Sequence, residues 1–290
     1  MDLQTVTDSL VSGVLLGGIL ALTALGLSIA LGVMRLVNLA HGEILVGGAY
    51  LGLYLLRWTG LDPVLGLLLI GVLMAVLVYP LHGLLLAPLS GQGLEAPMMT
   101  MFGVSIILQN AFLLFFSADT RSIDRPYAAT PVHIGSITVP QIYLIGFVIS
   151  VIVIVLVHLL IARTRFGREL RASAADPGAA AANGVDVRRV HALTFALGAA
   201  CAAMGGTLIG IAFSFSPTSG ASYLLTGFAI VVLGGLGNIF ATLVAGVALG
   251  LLQSLGGVVF GDGYRELAGL VLFLVVLAIR PQGLLSGRGS

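Results

Sequence analysis

Apolar and polar positions fall in long blocks along this chain, and charged side chains punctuate the apolar runs. A helix that crosses a bilayer needs about 20 mostly apolar residues, because the hydrocarbon is about 30 Å thick. One charge-free run of that kind lies between Asp8 and Arg35, a second between Asp62 and Glu95, and a third between Glu95 and Asp119. A polar loop follows Arg125, and a fourth run starts near Pro140 and ends at Arg163. From Arg189 to Asp262 no Asp, Glu, Lys or Arg occurs between the two ends. That stretch holds three crossings, divided near Pro217–Ser222 and near Gly234–Asn238 by turn-forming residues. Two further apolar segments, Ile44–Leu56 and Leu267–Ile279, are short. Each spans only with its polar flanks, or by lying beside protein instead of lipid. The expectation is an all-α polytopic membrane protein with eight to nine transmembrane helices, forming one transmembrane domain over residues 1–290.

Composition sharpens this. The chain is 58% hydrophobic and 9% charged, against about 25% charged in ordinary soluble domains, and its mean hydropathy is +1.12. A soluble enzyme or a nucleic-acid binder of this length needs far more charge on its outside. The 13 basic and 12 acidic residues leave no excess to attract a polyanion. A single cysteine, Cys201, excludes a disulfide framework and any multi-Cys metal site. All the basic residues are Arg. Without Lys the chain carries neither a Walker A nucleotide site nor a Lys Schiff base. No His-Glu-x-x-His motif is present, and Ser105 with His158 makes only a coincidental pair, so the chain does not read as an enzyme.

Arg placement sets the orientation. The segment 163–190 carries Arg163, Arg165, Arg168, Arg171, Arg188 and Arg189, and is assigned to the cytoplasm. Counting crossings from it places Arg35, Arg280 and Arg288 inside as well, and Arg57, Arg121, Arg125 and Arg265 outside. This gives nine crossings, an external N-terminus and a cytoplasmic C-terminus. If 36–56 is re-entrant there are eight crossings and the N-terminus is internal. The first eight residues carry Asp2 and Asp8 and no base, unlike a signal peptide, so Leu10–Val33 reads as a retained helix. Gly13, Gly17 and Ala21, and again Gly246 and Gly250, recur every four residues, as in tightly packed membrane helices.

Two interruptions stand out. Gly32-Val-Met-Arg-Leu-Val-Asn-Leu-Ala-His-Gly-Glu43 places Arg35, Asn38, His41 and Glu43 between apolar runs. Ionisable groups at membrane depth cost about 2.5–3.5 kcal/mol each on insertion scales and tend to mark pathways. Spacing alone leaves a second reading open, an ordinary cytoplasmic turn with Glu43 near the N-terminus of the next helix. Val232-Leu-Gly-Gly-Leu-Gly-Asn-Ile239 breaks an apolar run in the other half. Interrupted segments in opposite halves can signal an internal repeat around a central site, and a plain interhelical turn is the alternative. Asn38, His41 and Glu43, then Gly234, Gly235 and Gly237, are the candidates for translocation path or gating.

The cytoplasmic loop 163–190 carries one more signal. Asp176-Pro177 is a helix start, since Asp caps and Pro suits the first helical position. Ala179–Ala182 favour helix, and Gly184 fits the left-handed position that ends one. The result is a very short helix with a bare alanine face, suited to a groove on another protein. A solvated, positive-inside connection without a partner is the other reading.

Together these stretches resemble the permease family of branched-chain amino-acid ABC importers, the LivH-like family. The resemblance covers nearly the whole chain. It is carried by Gly32–Glu43, by Thr164-Arg-Phe-Gly-Arg-Glu-Leu-Arg-Ala172, by Ala180–Val185 with its Asn-Gly-Val, by Val231–Asn238, and by Arg280-Pro-Gln-Gly-Leu284. It implies a multi-pass subunit of the bacterial inner membrane that pairs with itself or a related permease. Two cytoplasmic ATPase subunits, which bind ATP and Mg, would drive it, and a periplasmic binding protein would deliver the solute. This chain itself would hold no cofactor. Such permeases carry a Glu-Ala-Ala-x3-Gly pattern that docks on the ATPase. Here Ala179, Ala180 and Gly184 match its second, third and last positions, Gly178 replaces the Glu, and the Ile-x-Leu-Pro that follows elsewhere is missing. With the helix cap Asp176 and the neighbouring Arg168 and Arg171, these are the expected coupling residues. Branched-chain amino acids are the default solute, and related permeases also move urea and short amides. The competing class is a stand-alone ion-coupled transporter or channel using His41 and Glu43.

Overall fold

The computed structural model describes residues 3–34, 36–89, 91–93, 95–235 and 237–279. Asp2, Arg35, Leu236, the Arg280–Leu284 motif and Arg288 lie outside the described residues. The elements, in chain order, are α1 (Leu3–Met34), α2 (His41–Thr59), α3 (Leu67–Leu81), α4 (Glu95–Phe116), α5 (Pro126–Ala129), β1 (Pro131–Ile134), β2 (Ile137–Pro140), α6 (Gln141–Arg163), α7 (Arg165–Ala175), α8 (Pro177–Ala182), α9 (Val187–Ala212), α10 (Gly220–Gly234), α11 (Ile239–Phe260) and α12 (Arg265–Ile279). Among the described residues, six helices are long and apolar enough to cross a membrane: α1, α3 with its continuation to Leu89, α4, α6, α9 and α11. α2, α10 and α12 are shorter or less apolar. The charge-to-charge reading therefore finds these helices, and its breaks at Pro217–Ser222 and Gly234–Asn238 straddle the start and the end of α10. One part of it needs correction. The segment after Arg125 is not a plain polar loop but a helical turn and an antiparallel hairpin, with Val132 opposite Val139.

α1 is the central post, enclosed almost continuously from Gly13 to Val33. Lipid gives no hydrophobic drive for helices to associate, so close approach between small residues replaces it. The regular small-residue spacing does this work between α1 and α11. A side-chain carbon on Gly17 would collide with the Val247 backbone, one on Gly246 would fall 2.6 Å from Gly17 O, and one on Gly250 would collide with the Gly13 carbonyl. α4, by contrast, is exposed on most of its surface, with Ile107, Leu114 and Phe115 facing outward.

Two ends of the bundle are distinguishable. At one, the hairpin is tied to the start of α1: Asp8 Oδ1 accepts from the Thr138 N–H at 3.1 Å and Gln4 Nε2 donates to Ser136 O at 3.0 Å. Asp62 lies at the same end, bridged to Arg125 at 2.7 Å and receiving the Tyr127 hydroxyl at 2.7 Å. At the other end are the last turns of α1, the α10–α11 turn, and α7 with α8. There Arg188 also donates to Gly83 O at 3.1 Å, tying the start of α9 to the end of α3. α3 does not end cleanly. Pro80 removes a helical N–H, and the helix widens into a π turn at His82–Leu86 before a 3-10 turn at Ala87–Leu89.

Partial burial raises the Asp62 carboxyl, but the Tyr127 hydroxyl, the Val64 N–H and the Arg125 charge outweigh it and hold the pKa below the ordinary carboxylate range. A lowered folded-state pKa stabilises the fold above the ordinary value, and that contribution is lost as pH falls through the lowered one. Asp62→Asn is therefore expected to melt earlier than the parent at neutral pH, with the gap closing on acidification. Melting curves of both proteins in detergent across pH check this.

Candidate functional site: two interrupted helices meeting at Glu43

α2 does not start at the end of the bundle where α1 stops. His41 Nε2 donates to the carbonyl of Thr23 at 2.8 Å, and Thr23 lies roughly 16 Å back along α1 from Met34 at helical rise. The chain after α1 therefore turns back into the bundle, and α2 begins part-way through it. Non-helical backbone at membrane depth is tolerated only where protein satisfies it. Asn38 does so here: its Oδ1 accepts from the Ala40 N–H at 3.0 Å, and its carbonyl accepts from the His41 N–H at 3.2 Å. Asn38, His41 and Glu43 are all buried, at 5%, 3% and 4% exposure. The segment is therefore enclosed by protein, and Glu43 lies in the first turn of α2, where the alternative reading also put it.

The second half of the chain repeats the arrangement from the opposite end. After α9 the chain turns back along Phe215, whose N–H and carbonyl pair with Arg121 at 2.7 and 2.8 Å. α10 then begins at Gly220, against the start of α2. A side-chain carbon on Gly42 would collide with the Gly220 carbonyl, and one on Gly220 would fall 2.7 Å from Glu43 Oε1. The two helix N-termini meet: backbone contact excludes a side chain at Gly42, and at Gly220 a side chain would displace the Glu43 carboxyl group. Each N-terminus carries a partial positive charge. The Glu43 carboxylate sits where the two combine, with Ser105 of α4 beside it. Its Oε2 is buried without a hydrogen-bond partner.

The glycines of the second motif lie elsewhere. Gly234 and Gly235 end α10, roughly 21 Å from Gly220 at helical rise. Gly237, at φ +76°, packs against Gly32 at the end of α1, where a side-chain carbon on Gly237 would fall 3.0 Å from Gly32 Cα. Asn238 caps α11 by accepting from the Ala241 N–H at 3.0 Å. The two motifs thus occupy opposite ends of α10, and the structure does not bring Glu43 together with Gly234, Gly235 or Gly237. Ser105 and His158 are also separated in role: His158 packs on Phe240, with ring centroids 4.5 Å apart.

Beside Glu43 a cavity of about 680 Å³ runs between α2, α3 and α4. Its walls are apolar, and Glu43 and Tyr50 both reach it from α2. Tyr50 stacks on Phe116 at 4.1 Å and meets Phe215 edge-on at 5.0 Å. Sequence reasoning missed Tyr50, Gly220 and the cavity. Gly220 carried no signal beyond its place in a turn, because its partner lies far along the chain.

At the Arg-rich end, the short helix forms as its caps require. Asp176 Oδ1 accepts from the Gly178 and Ala179 N–H groups at 2.8 and 3.0 Å. Gly184 takes φ +84° and the Val185 N–H returns to the Ala180 carbonyl at 3.1 Å, a Schellman-type ending. Ala179 is exposed and Ala180 is buried, so Ala179 belongs to the free face and Ala180 anchors the helix. Arg168 is exposed. Arg171 is exposed too, but its guanidinium donates to the Ile161 carbonyl at the end of α6.

The fold and these features define a multi-pass helical membrane protein. The family model described as "Branched-chain amino acid transport system / permease component" matches residues 9–280. The chain is 31% identical to the "High-affinity branched-chain amino acid transport system permease protein BraD" of Pseudomonas aeruginosa, over 96% of this chain and 95% of that protein. It is 28% identical to LivH of Escherichia coli K12, named with the same description, over 94% of this chain and 93% of that one. Among solved structures it is similar to "PsaBC from Streptococcus pneumoniae in complex with Fab" (TM-score 0.50, 13% identity, 97% of this chain and 94% of that chain), a likeness of fold alone. The chain belongs to the permease-component family of branched-chain amino acid transport systems.

Overpacking a close backbone contact costs about 1–3 kcal/mol or more. Gly42→Val is expected to remove most folded protein, whereas Gly103→Val, which meets open space, is expected to leave it intact. Size-exclusion profiles of fluorescently tagged variants in detergent compare the two.

Proposed function

We propose that this chain is the membrane-spanning permease subunit of an ABC importer for branched-chain amino acids in the bacterial inner membrane. In this reading it pairs with a second permease, two cytoplasmic ATPase subunits that hold ATP and Mg, and a periplasmic binding protein. The family match across residues 9–280 carries the reading. The absence of Lys from the sequence supports a division of labour in which nucleotide binds elsewhere.

Counting α2 with its extended lead-in, and α10 with its own, the chain makes nine traverses. The Arg-rich end is cytoplasmic, and so is the C-terminus. The exposed face of α8, with Asp176, Ala179 and Gly184 setting its shape and Arg168 and Arg171 beside it, docks on the ATPase. Closure of the ATPase pair moves α8 and α7, and through α6 rocks the helices that meet at Glu43. Asn38, His41 and Glu43 hold the mid-depth junction. Gly234, Gly235 and Gly237 hold the inner turn against α1 and close the cytoplasmic side.

Two outcomes are expected. The assembled complex in liposomes should accumulate labelled leucine on ATP addition, and the isolated chain should not. Uphill accumulation by the chain alone would instead establish an ion-coupled transporter. A β-branched residue in the left-handed region costs about 1–2 kcal/mol, so Gly184→Val is expected to cut solute-stimulated ATP hydrolysis about tenfold with membrane insertion unchanged. Normal stimulated hydrolysis in that variant would remove the docking role of α8.

A further inference from the structure

We propose that the cavity between α2, α3 and α4 is a transient solute site in which Glu43 takes the ammonium group of an aliphatic amino acid and the apolar walls take its side chain. The inference rests on the reading of the chain as an amino-acid permease and goes beyond it by placing the solute.

Three observations converge. First, the carboxylate is buried with Oε2 unpartnered, and it lines the cavity. A buried acceptor without a partner is costly unless something else supplies one. Among the described residues no basic side chain lines the cavity, so the missing partner is not a neighbouring Arg. Second, the rest of the lining is aliphatic and aromatic, with Met74, Met101, Val104, Phe112 and Phe195 among it. Such walls suit a branched hydrocarbon chain, and methionine adapts to several shapes. Third, Tyr50 lines the same cavity two turns further along α2, and its hydroxyl is also buried without a partner. Glu43 and Tyr50 are roughly 10 Å apart along the helix, so they make two successive polar stops on one apolar wall. Successive weak sites suit a solute that must be held and then released.

The ligand chemistry follows from the groups present. An ammonium supplies the charged donor that a carboxylate accepts most strongly. A lipid chain would satisfy the walls and leave Glu43 Oε2 without a partner. A sugar or amide offers neutral donors only and leaves the aliphatic walls poorly used.

The test uses the assembled transporter and a leucine analogue bearing a photoreactive diazirine in its side chain. After illumination, mass spectrometry of peptides locates the label. Label is expected on α3 and α4 around Met74, Met101 and Val104, and excess leucine should suppress it. Loss of a charge-assisted bond predicts a drop of about tenfold or more in Glu43→Gln, with an unchanged size-exclusion profile showing that it still folds. Val104→Trp, which fills the cavity while leaving the carboxylate, should abolish the label as well. Label on these helices that leucine does not suppress would mark an acyl-chain site and overturn the proposal. So would suppressible label confined to other helices. If the complex fails to transport leucine yet shows protected label here, the permease reading falls and the site stands. Normal leucine transport with no protected label at this cavity defeats the site alone.

Discussion

A main chain that leaves the helical conformation inside a membrane must find protein partners for its N–H and C=O groups, because hydrocarbon offers none. This protein does so twice, once before α2 and once before α10. The first break is held by the Asn38 turn and by His41, which reaches the Thr23 carbonyl of α1. The second is held by the two-residue bridge between Phe215 and Arg121. Each break lets a helix begin at depth, and the two beginnings face one another. Everything distinctive about the site follows: two positive helix ends, the glycine contact that lets them approach, and one carboxylate between them.

That arrangement depends on a rigid frame. α1 supplies it by packing small residues against α11 on one side and α9 on the other, where Gly26 and Gly198 meet backbone to backbone. α4 is the opposite case. It is exposed over most of its surface and forms one wall of the cavity beside Glu43. A wall so weakly held can shift at small cost, whereas α1, α9 and α11 cannot. The bundle thus divides into a close-packed post and a loosely packed wall.

The Arg-rich end is held together by a different kind of local physics. α8 is too short to be stable alone in water, so its caps and the burial of Ala180 maintain it. α7 is pressed on the end of α6, where Gly167 meets the Ile161 backbone and the Arg171 guanidinium donates to the Ile161 carbonyl. α8 is thus linked through α7 to a long helix by backbone contacts.

Much of this was legible in the linear chain. Charge punctuation located the long helices, because a bilayer crossing needs an uninterrupted apolar run whatever its neighbours are. The cap residues Asp176 and Gly184 declared α8, since capping is local chemistry. The four-residue spacing of Gly13 and Gly17, and of Gly246 and Gly250, marked tight interfaces without saying that each pair packs against the other. The tertiary structure alone decided that α2 and α10 begin at depth and meet. It also separated Glu43 from the glycine motif by the length of α10, and opened the cavity that Tyr50 shares. Those facts depend on contacts between residues far apart in sequence, such as Gly42 with Gly220 and His41 with Thr23. Local propensity carries no record of such contacts; they come from packing.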